Sequence, residues 1–443
     1  MRLDRIKKTA LLSVCAALML LSACKVVVLP YDRGDGKQTT AEHRFTTAVP
    51  VTTAVPVTTA VSGTTAAPVT TALPATTTER ATEPPPAETT AEPNEASLWA
   101  ERLIPAFEKR FFLNRLDEEE LALFCVIYEA AAAFEESARF PEPITVDKLT
   151  EMMLLLNYEC PELMQISGNY TYFTDAAGLC VSVSFDYIMD EFQYTVAVEE
   201  IGALFERWQQ ELSGLTDYEK EKFVYEYLIE TCRYDEYAAH AGSCYGALIE
   251  GVARCEGYAK SFMWAMWALD IPCMTVTGEA ANGEEFLYSR HSWNIVQIDG
   301  TYCYLDATYD DVEQNGEQFP ISYGFFNVDQ NSVEQSRETD ALYLRLGVPD
   351  CASMDNSFHV KNRSYLRSGG QAAKMLSELL GRAVASGEDR VYLKTETDEQ
   401  FSELVNSIDT LLEAWLTDNV DQAWRYQWHS YGDARALVVD LYF

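Results

Sequence analysis

The stretch HSWNIVQIDGTYCYLDAT, from His291 to Thr308, decides the fold of the segment around it. Two runs rich in apolar residues, His291–Ile298 and Thr301–Thr308, flank Asp299-Gly300. An Asp-Gly pair between such runs is the strongest short-range hairpin signal. The turn sets Trp293 opposite Asp306 and His291 opposite Thr308. Side chains alternate along a strand, so His291, Trp293, Tyr304 and Asp306 share a face. His291 and Asp306 become diagonal neighbours, about 7–8 Å apart at Cα and within reach of a side-chain hydrogen bond. A carboxylate on one imidazole nitrogen fixes the tautomer and stabilises the cation, leaving the other nitrogen to face a nucleophile. A slip of one residue would put the two on opposite faces.

A nucleophile lies upstream. Gly251 breaks the chain, and beyond Cys255 the residues Tyr258, Phe262, Met266 and Leu269 recur at helical spacing, ending before Pro272. That pattern is one buried stripe and puts Cys255 at or near a helix N-terminus. The dipole there favours thiolate, the nucleophilic form. A cysteine is otherwise more often a small buried hydrophobe.

Three motifs carry a resemblance: ARCEGYAK at 253–260, HSWN at 291–294 and DGTYCYLDATYDD at 299–311. In order and spacing they resemble a bacterial branch of the transglutaminase-like superfamily. Asp217-Tyr-Glu-Lys220, Arg233-Tyr-Asp235 and Ser243-Cys-Tyr-Gly246 are similar to that branch as well. The resemblance covers about 215–330. It implies an α+β fold with a papain-like core in which Cys255 is the nucleophile, His291 the base and Asp306 its orienter. Tyr309 stands where the branch commonly has Trp. Tyr245 is a candidate oxyanion donor, against the plainer reading of a core tyrosine. Trp293 and Asn294 shape the site or the hairpin rather than react. Asp310 and Asp311 read as an exposed turn of acids, since no EF-hand-like spacing follows.

Outward from the core, the chain opens with Arg2, Arg5, Lys7 and Lys8, then an apolar run from Thr9 to Leu21. This suits a signal peptide and is too short to span a membrane. Its end, Leu21-Ser22-Ala23-Cys24, resembles the lipobox of bacterial lipoproteins, which implies lipidation at Cys24, a lipid anchor in the membrane and an extracytoplasmic location. Residues 25–96 repeat TTAVPV and its variants without apolar periodicity, a Thr/Pro-rich disordered tether that reaches about 220 Å at about 3.1 Å per residue. A mostly helical region follows at 97–215, with a helix from Asp117 through Ala138, another near Val146–Leu156, and strands at Tyr170–Phe173 and Val181–Tyr187. The core is 216–330, and 331–370 is a connecting segment. A small α+β module at 371–443 reads as helices over Gln371–Ala385 and Phe401–Trp415 and strands over Arg390–Thr395 and Leu437–Phe443. Its Trp415, Trp424 and Trp428 are better read as core than as a carbohydrate platform.

Composition excludes several classes. With 33 basic and 69 acidic residues the net charge is −36, the opposite of what nucleic-acid or anionic-lipid binding needs. No His or Cys grouping has zinc-ligand spacing, and no Gly-rich loop cradles phosphate, so neither metal nor cofactor is expected. Beyond Cys24 and Cys255 the remaining cysteines have no spacing that fixes a pairing. The expected function is a thiol enzyme acting on amide bonds of a protein or peptide through an acyl-enzyme thioester, with hydrolysis favoured over transfer to an amine. The alternative is a non-catalytic binding or surface-assembly module on the same fold.

Overall fold

A computed structural model describes residues 29–31, 109–282, 287–314, 317–421 and 423–443. The signal peptide, Cys24, residues 97–108 and the tether apart from Leu29–Tyr31 lie outside the described residues.

Helix α1 spans Glu118–Ala132 and opens with a capping box, in which Asp117 accepts from the Glu120 N–H and Glu120 reaches back to the Asp117 N–H. It ends six residues earlier than the periodicity predicts. Phe134 takes a left-handed φ of 56°, and Ser137–Ile144 forms strand β1 instead. The helix closes in a Schellman turn, with the Glu135 N–H donating to the Ala130 carbonyl and the Phe134 N–H to that of Ala131, and beyond it Pro141 and Pro143 cannot donate a helical hydrogen bond. They sit on an edge strand, where the ladder to its neighbour is interrupted between Arg139 and Ile144. Helix α2 (Val146–Glu159) follows, then strands β2 (Ile166–Thr174) and β3 (Cys180–Tyr187), giving a three-stranded sheet in the order β1-β3-β2. Helices α3 (Glu191–Glu211) and α4 (Asp217–Thr231) complete the approach to the core.

Helix α5 (Cys255–Ala268) is buried on every side from Cys255 to Trp267, rather than along one stripe. A helix buried all round belongs at the centre of a protein, and the two charges it carries there, Glu256 and Lys260, are paired with each other. Strands β4 (Cys273–Asn282), β5 (Leu287–Ile298) and β6 (Thr301–Leu305), with β7 (Arg337–Thr339), form a sheet in the order β7-β4-β5-β6. The β5–β6 turn has positive φ at Asp299 (51°) and Gly300 (78°), as a two-residue hairpin requires. The ladder runs from Ile298 opposite Thr301 to Asn294 opposite Leu305, the register that the turn predicts. It stops there, because Asp306 caps a short helix, α6 (Ala307–Asp310), where the sequence pattern suggested continued strand. Alternation puts Val296, Ile298 and Leu305 into a core with α3, α4 and α5, and Trp293, Ile295 and Tyr304 into a second core with the N-terminal region.

The C-terminal region holds α7 (Ala372–Ser386), β8 (Arg390–Thr395), α8 (Asp398–Asn419), β9 (Arg425–Tyr431) and β10 (Ala436–Tyr442). Its sheet runs Leu29–Tyr31, β9, β10, β8, Tyr365–Leu366. Leu437, Val439 and Leu441 face the two helices, together with Trp428. Ala436 and Val438 face the other way, against Tyr309, Val312, Phe319 and Phe325. The sheet is thus packed directly on the segment that follows Asp306.

Candidate active site

Local geometry first fixes Cys255. Gly251 adopts a left-handed φ of 67°, and a Cβ there would lie 2.7 Å from the Thr231 carbonyl oxygen. This turn lets Val252-Ala253 pair in parallel with Arg233-Tyr234. The chain then stays extended at Arg254 and enters α5 at Cys255, with no side chain capping the helix. The thiol therefore stands on the first helical residue, among N–H groups without intrahelical acceptors. Cys255 is 8% exposed.

Charges beside it are tightly paired. Glu256 accepts from Arg254 Nε and Nη2 at 3.0 and 2.6 Å and from Lys260 Nζ at 2.9 Å. Asn157 of α2 donates to the same carboxylate at 2.7 Å and accepts from Lys260 at 3.2 Å. Burial works against the Glu256 anion, but Lys260 and Arg254 outweigh it and hold its carboxyl down to about 2. The neighbouring Tyr158 hydroxyl is pushed well above its usual range by burial and by the Glu256 and Cys255 charges.

His291 lies on β5 opposite Gly278 of β4. Its Nε2 donates to Asp306 Oδ2 at 2.8 Å, and its side chain is hydrogen-bonded to Cys255. With Nε2 committed to Asp306, Nδ1 is the nitrogen left for sulfur. Trp293 stacks on the imidazole at 5.8 Å between centroids, and Tyr309 meets it edge-on at 4.9 Å. Burial disfavours the imidazolium, yet Asp306 and then Cys255 outweigh burial and raise His291 to about 9. The ring is thus poised to hold a proton beside the Cys255 sulfur.

Asp306 serves three partners. Its Oδ1 caps α6 by accepting from the Tyr309 N–H at 3.3 Å, and its Oδ2 accepts from both His291 and Arg337. Burial raises its carboxyl, but His291 and Arg337 more than offset this and keep it below the ordinary carboxylate range.

The structure brings Cys255, His291 and Asp306 together, with Trp293 on the imidazole, and gives Asn294 and Tyr245 different surroundings. Asn294 Nδ2 donates to the Ala259 carbonyl at 2.9 Å and to Thr275 Oγ1 at 3.1 Å, tying the histidine strand to the first turns of the cysteine helix. Tyr245 is hydrogen-bonded to Glu200 and packs its ring on His240, so its contacts lie with α3 and the loop before Cys255. Asp310 and Asp311 correct the expectation of an exposed acidic turn. Asp310 is fully buried, accepting from Tyr225, Ser322 and the N–H groups of Gly324 (3.1 Å) and Phe325 (3.0 Å). Asp311 accepts from Tyr258 and from Gln318 at 2.6 Å, and burial pushes its carboxyl up to about 6. These acids pin the segment after Asp306 to α4 and α5.

Sequence reasoning missed Arg337, Asn157 and the bracing of Glu256. Only the last had a signal, the Glu256–Lys260 spacing on one helix face. Among the described residues nine cysteines are present, none of them in a disulfide, and of these Cys125 alone is exposed. Among the described residues no group of three or more His, Cys, Asp or Glu is arranged to hold a metal ion.

Residues 206–307 match the model of the transglutaminase-like superfamily. No curated protein matches the chain. Among solved structures, the chain is similar to a candidate cysteine protease from Cytophaga hutchinsonii (16% identity over 32% of this chain and 61% of that one, TM-score 0.22). It is also similar to a TGase (16% identity, 42% and 53% coverage, TM-score 0.23). The chain thus spans less than two thirds of the length of either.

Proposed function

We propose that this chain, whose residues 206–307 form a transglutaminase-like domain, is a thiol enzyme acting on amide bonds. The observation that carries the reading is the hydrogen-bonded series Cys255–His291–Asp306, with the imidazole raised to about 9. Cys255 Sγ attacks the carbonyl carbon of a carboxamide or peptide. His291 Nδ1 gives its proton to the departing nitrogen, so an amine leaves and a thioester remains. Water then attacks the thioester, His291 takes one of its protons, and the acid departs as the thiolate–imidazolium pair is restored. An amine in place of water would give a new amide. Hydrolysis is favoured because water is always available, whereas acyl transfer needs a shielded amine site.

The substrate in this reading is a protein or peptide outside the cytoplasm, with the enzyme held to the membrane by lipid at Cys24. The sequence Leu21-Ser-Ala-Cys24 and the tether behind it support this placement. Cys24→Ala should release the protein from membranes or leave the precursor uncut. Membrane recovery of a cleaved Cys24→Ala protein would refute the anchor.

The activity is tested by mass spectrometry of surface proteins exposed to wild type and to Cys255→Ala. Cleavage, deamidation or crosslinks present only with wild type are expected. Identical spectra would favour a binding module that keeps the fold without turnover.

A further inference from the structure

One buried cation stands on the triad without taking part in bond making. Arg337 begins β7, opposite Ala280 of β4, thirty residues beyond the part that matches the superfamily model. Its side chain is buried. Nε and Nη2 donate to Asp306 Oδ2 at 3.2 and 2.7 Å, the same oxygen that accepts from His291 Nε2 at 2.8 Å. Nη1 donates to Ser336 Oγ at 3.0 Å. The guanidinium carbon lies 4.2 Å from the centroid of Tyr309 and 4.3 Å from that of Phe325. Aromatic faces and a fixed fork of donors leave this cation little freedom to turn away.

We propose that Arg337 is a positioning residue that sets the basicity of His291 through the Asp306 oxygen they share. The inference rests on the thiol-enzyme reading. Two cations on one carboxylate oxygen oppose each other, so Arg337 weakens the hold of Asp306 on the imidazolium proton. It also keeps Asp306 ionised, because a buried carboxylate with only a neutral imidazole beside it would tend to take up a proton. The guanidinium thus prevents His291 from keeping its proton too tightly to pass it to a leaving amine.

The other groups around this pair do not duplicate Arg337. On His291 bear Asp306, the thiol of Cys255 and the ring of Tyr309. On Asp306 bears Tyr225 from α4, whose hydroxyl donates to the Asp306 carbonyl at 3.4 Å. Lys394 of β8 donates to the Ala434 carbonyl, and its charge acts at Asp310. Arg290, next to His291 in the chain, is paired with Asp340 at 2.5 Å. Asp433 feels the Arg337 charge but is itself shifted mainly by burial.

The test measures iodoacetamide alkylation of Cys255 across pH in the full-length chain, read by peptide mass spectrometry. In wild type the alkaline inflection reports loss of the imidazolium proton. Arg337→Gln keeps a donor without the charge, and Arg337→Met loses both. Each should move that inflection upward by about one to two pH units. Arg337→Lys, which restores the charge, should return it towards wild type. Circular dichroism selects the folded variants, and either neutral variant suffices. A rate that falls at every pH with the inflection unmoved would overturn the proposal and leave Arg337 as packing only. If wild-type Cys255 reacts no faster than the exposed Cys125, the thiol-enzyme reading fails, and the Arg337 proposal with it.

Discussion

At the residue scale, the His291–Asp306 pair makes stability depend on pH with a defined sign. His291 is raised from an ordinary 6.5 to about 9, so the folded state binds its proton more tightly. Its contribution is fully present below about pH 6.5 and is lost as pH rises through 9, amounting to about 3 kcal/mol. Asp306 works in the opposite sense: held below 3.8, it contributes above that pH and its share is lost as pH falls further. Lys394, lowered to about 7, and Glu159, raised to about 7, titrate in the same range, so the comparison must be differential. The urea midpoint of wild type should drop relative to that of His291→Gln between pH 6.5 and 9. Parallel curves would show that His291 is not held as a cation. The pair itself was legible in the sequence because one short turn fixes the register of both residues. Arg337 was not, since it arrives on a separate strand without a motif. Asp310 and Asp311 misled, because burial of a carboxylate depends on partners such as Tyr225, Ser322 and Tyr258, which local polarity does not report.

At the scale of elements, the cysteine helix is held by close backbone approach. A Cβ on Gly257 would lie 2.4 Å from the Ala241 carbonyl oxygen and 2.8 Å from Ala253 Cβ. Alanine is the better helix former by about 1 kcal/mol, but overpacking against backbone costs about 1–3 kcal/mol. The backbone clash should win, so Gly257→Ala is expected to destabilise. Gly381 in α7 is the control: there a Cβ would meet only Trp415 Cζ2 at 3.8 Å, an ordinary contact. Gly381→Ala should therefore stabilise by about 0.5–1 kcal/mol. Urea denaturation of both variants checks the contrast, and equal shifts would contradict it. The hairpin and strand β8 were readable because alternation and turn chemistry agree there. Strand β1 was not, because SARFPEPI carries two prolines, which argue against a strand unless it lies at a sheet edge. Strand β9, RYQWHSY, was missed as well, since its burial comes from neighbouring strands rather than from its own mixed composition.

At the scale of the whole molecule, the described residues fall into one compact unit, and the C-terminal sheet helps to build the floor of the site. One face of β10 is covered by α7 and α8, a core that the region supplies to itself. The other face places Ala436 and Val438, with Tyr431 of β9, against Tyr309 and Phe325. Those two aromatic rings are the ones that sandwich Arg337, and Tyr309 also meets His291. Tyr431 further donates its hydroxyl to the Pro320 carbonyl, on the segment that returns to bury Asp310. The sequence pattern alone reads this region as a module in its own right, because its helices and strands satisfy one another along the chain. The second face becomes visible only when the sheet is assembled. Deleting 371–443 should therefore do more than remove an appendage. It would expose Tyr309 and Phe325 to water, loosen the clamp on Asp306 and weaken the hold on His291. The truncated chain is expected to melt at a lower temperature, and its Cys255 should alkylate at a rate that no longer depends on His291. The double comparison of full and truncated chains, each with and without His291→Ala, reads this directly. If truncation leaves both the melting temperature and the His291 dependence intact, the sheet is an independent module and the site is built by the central region and the N-terminal helices alone.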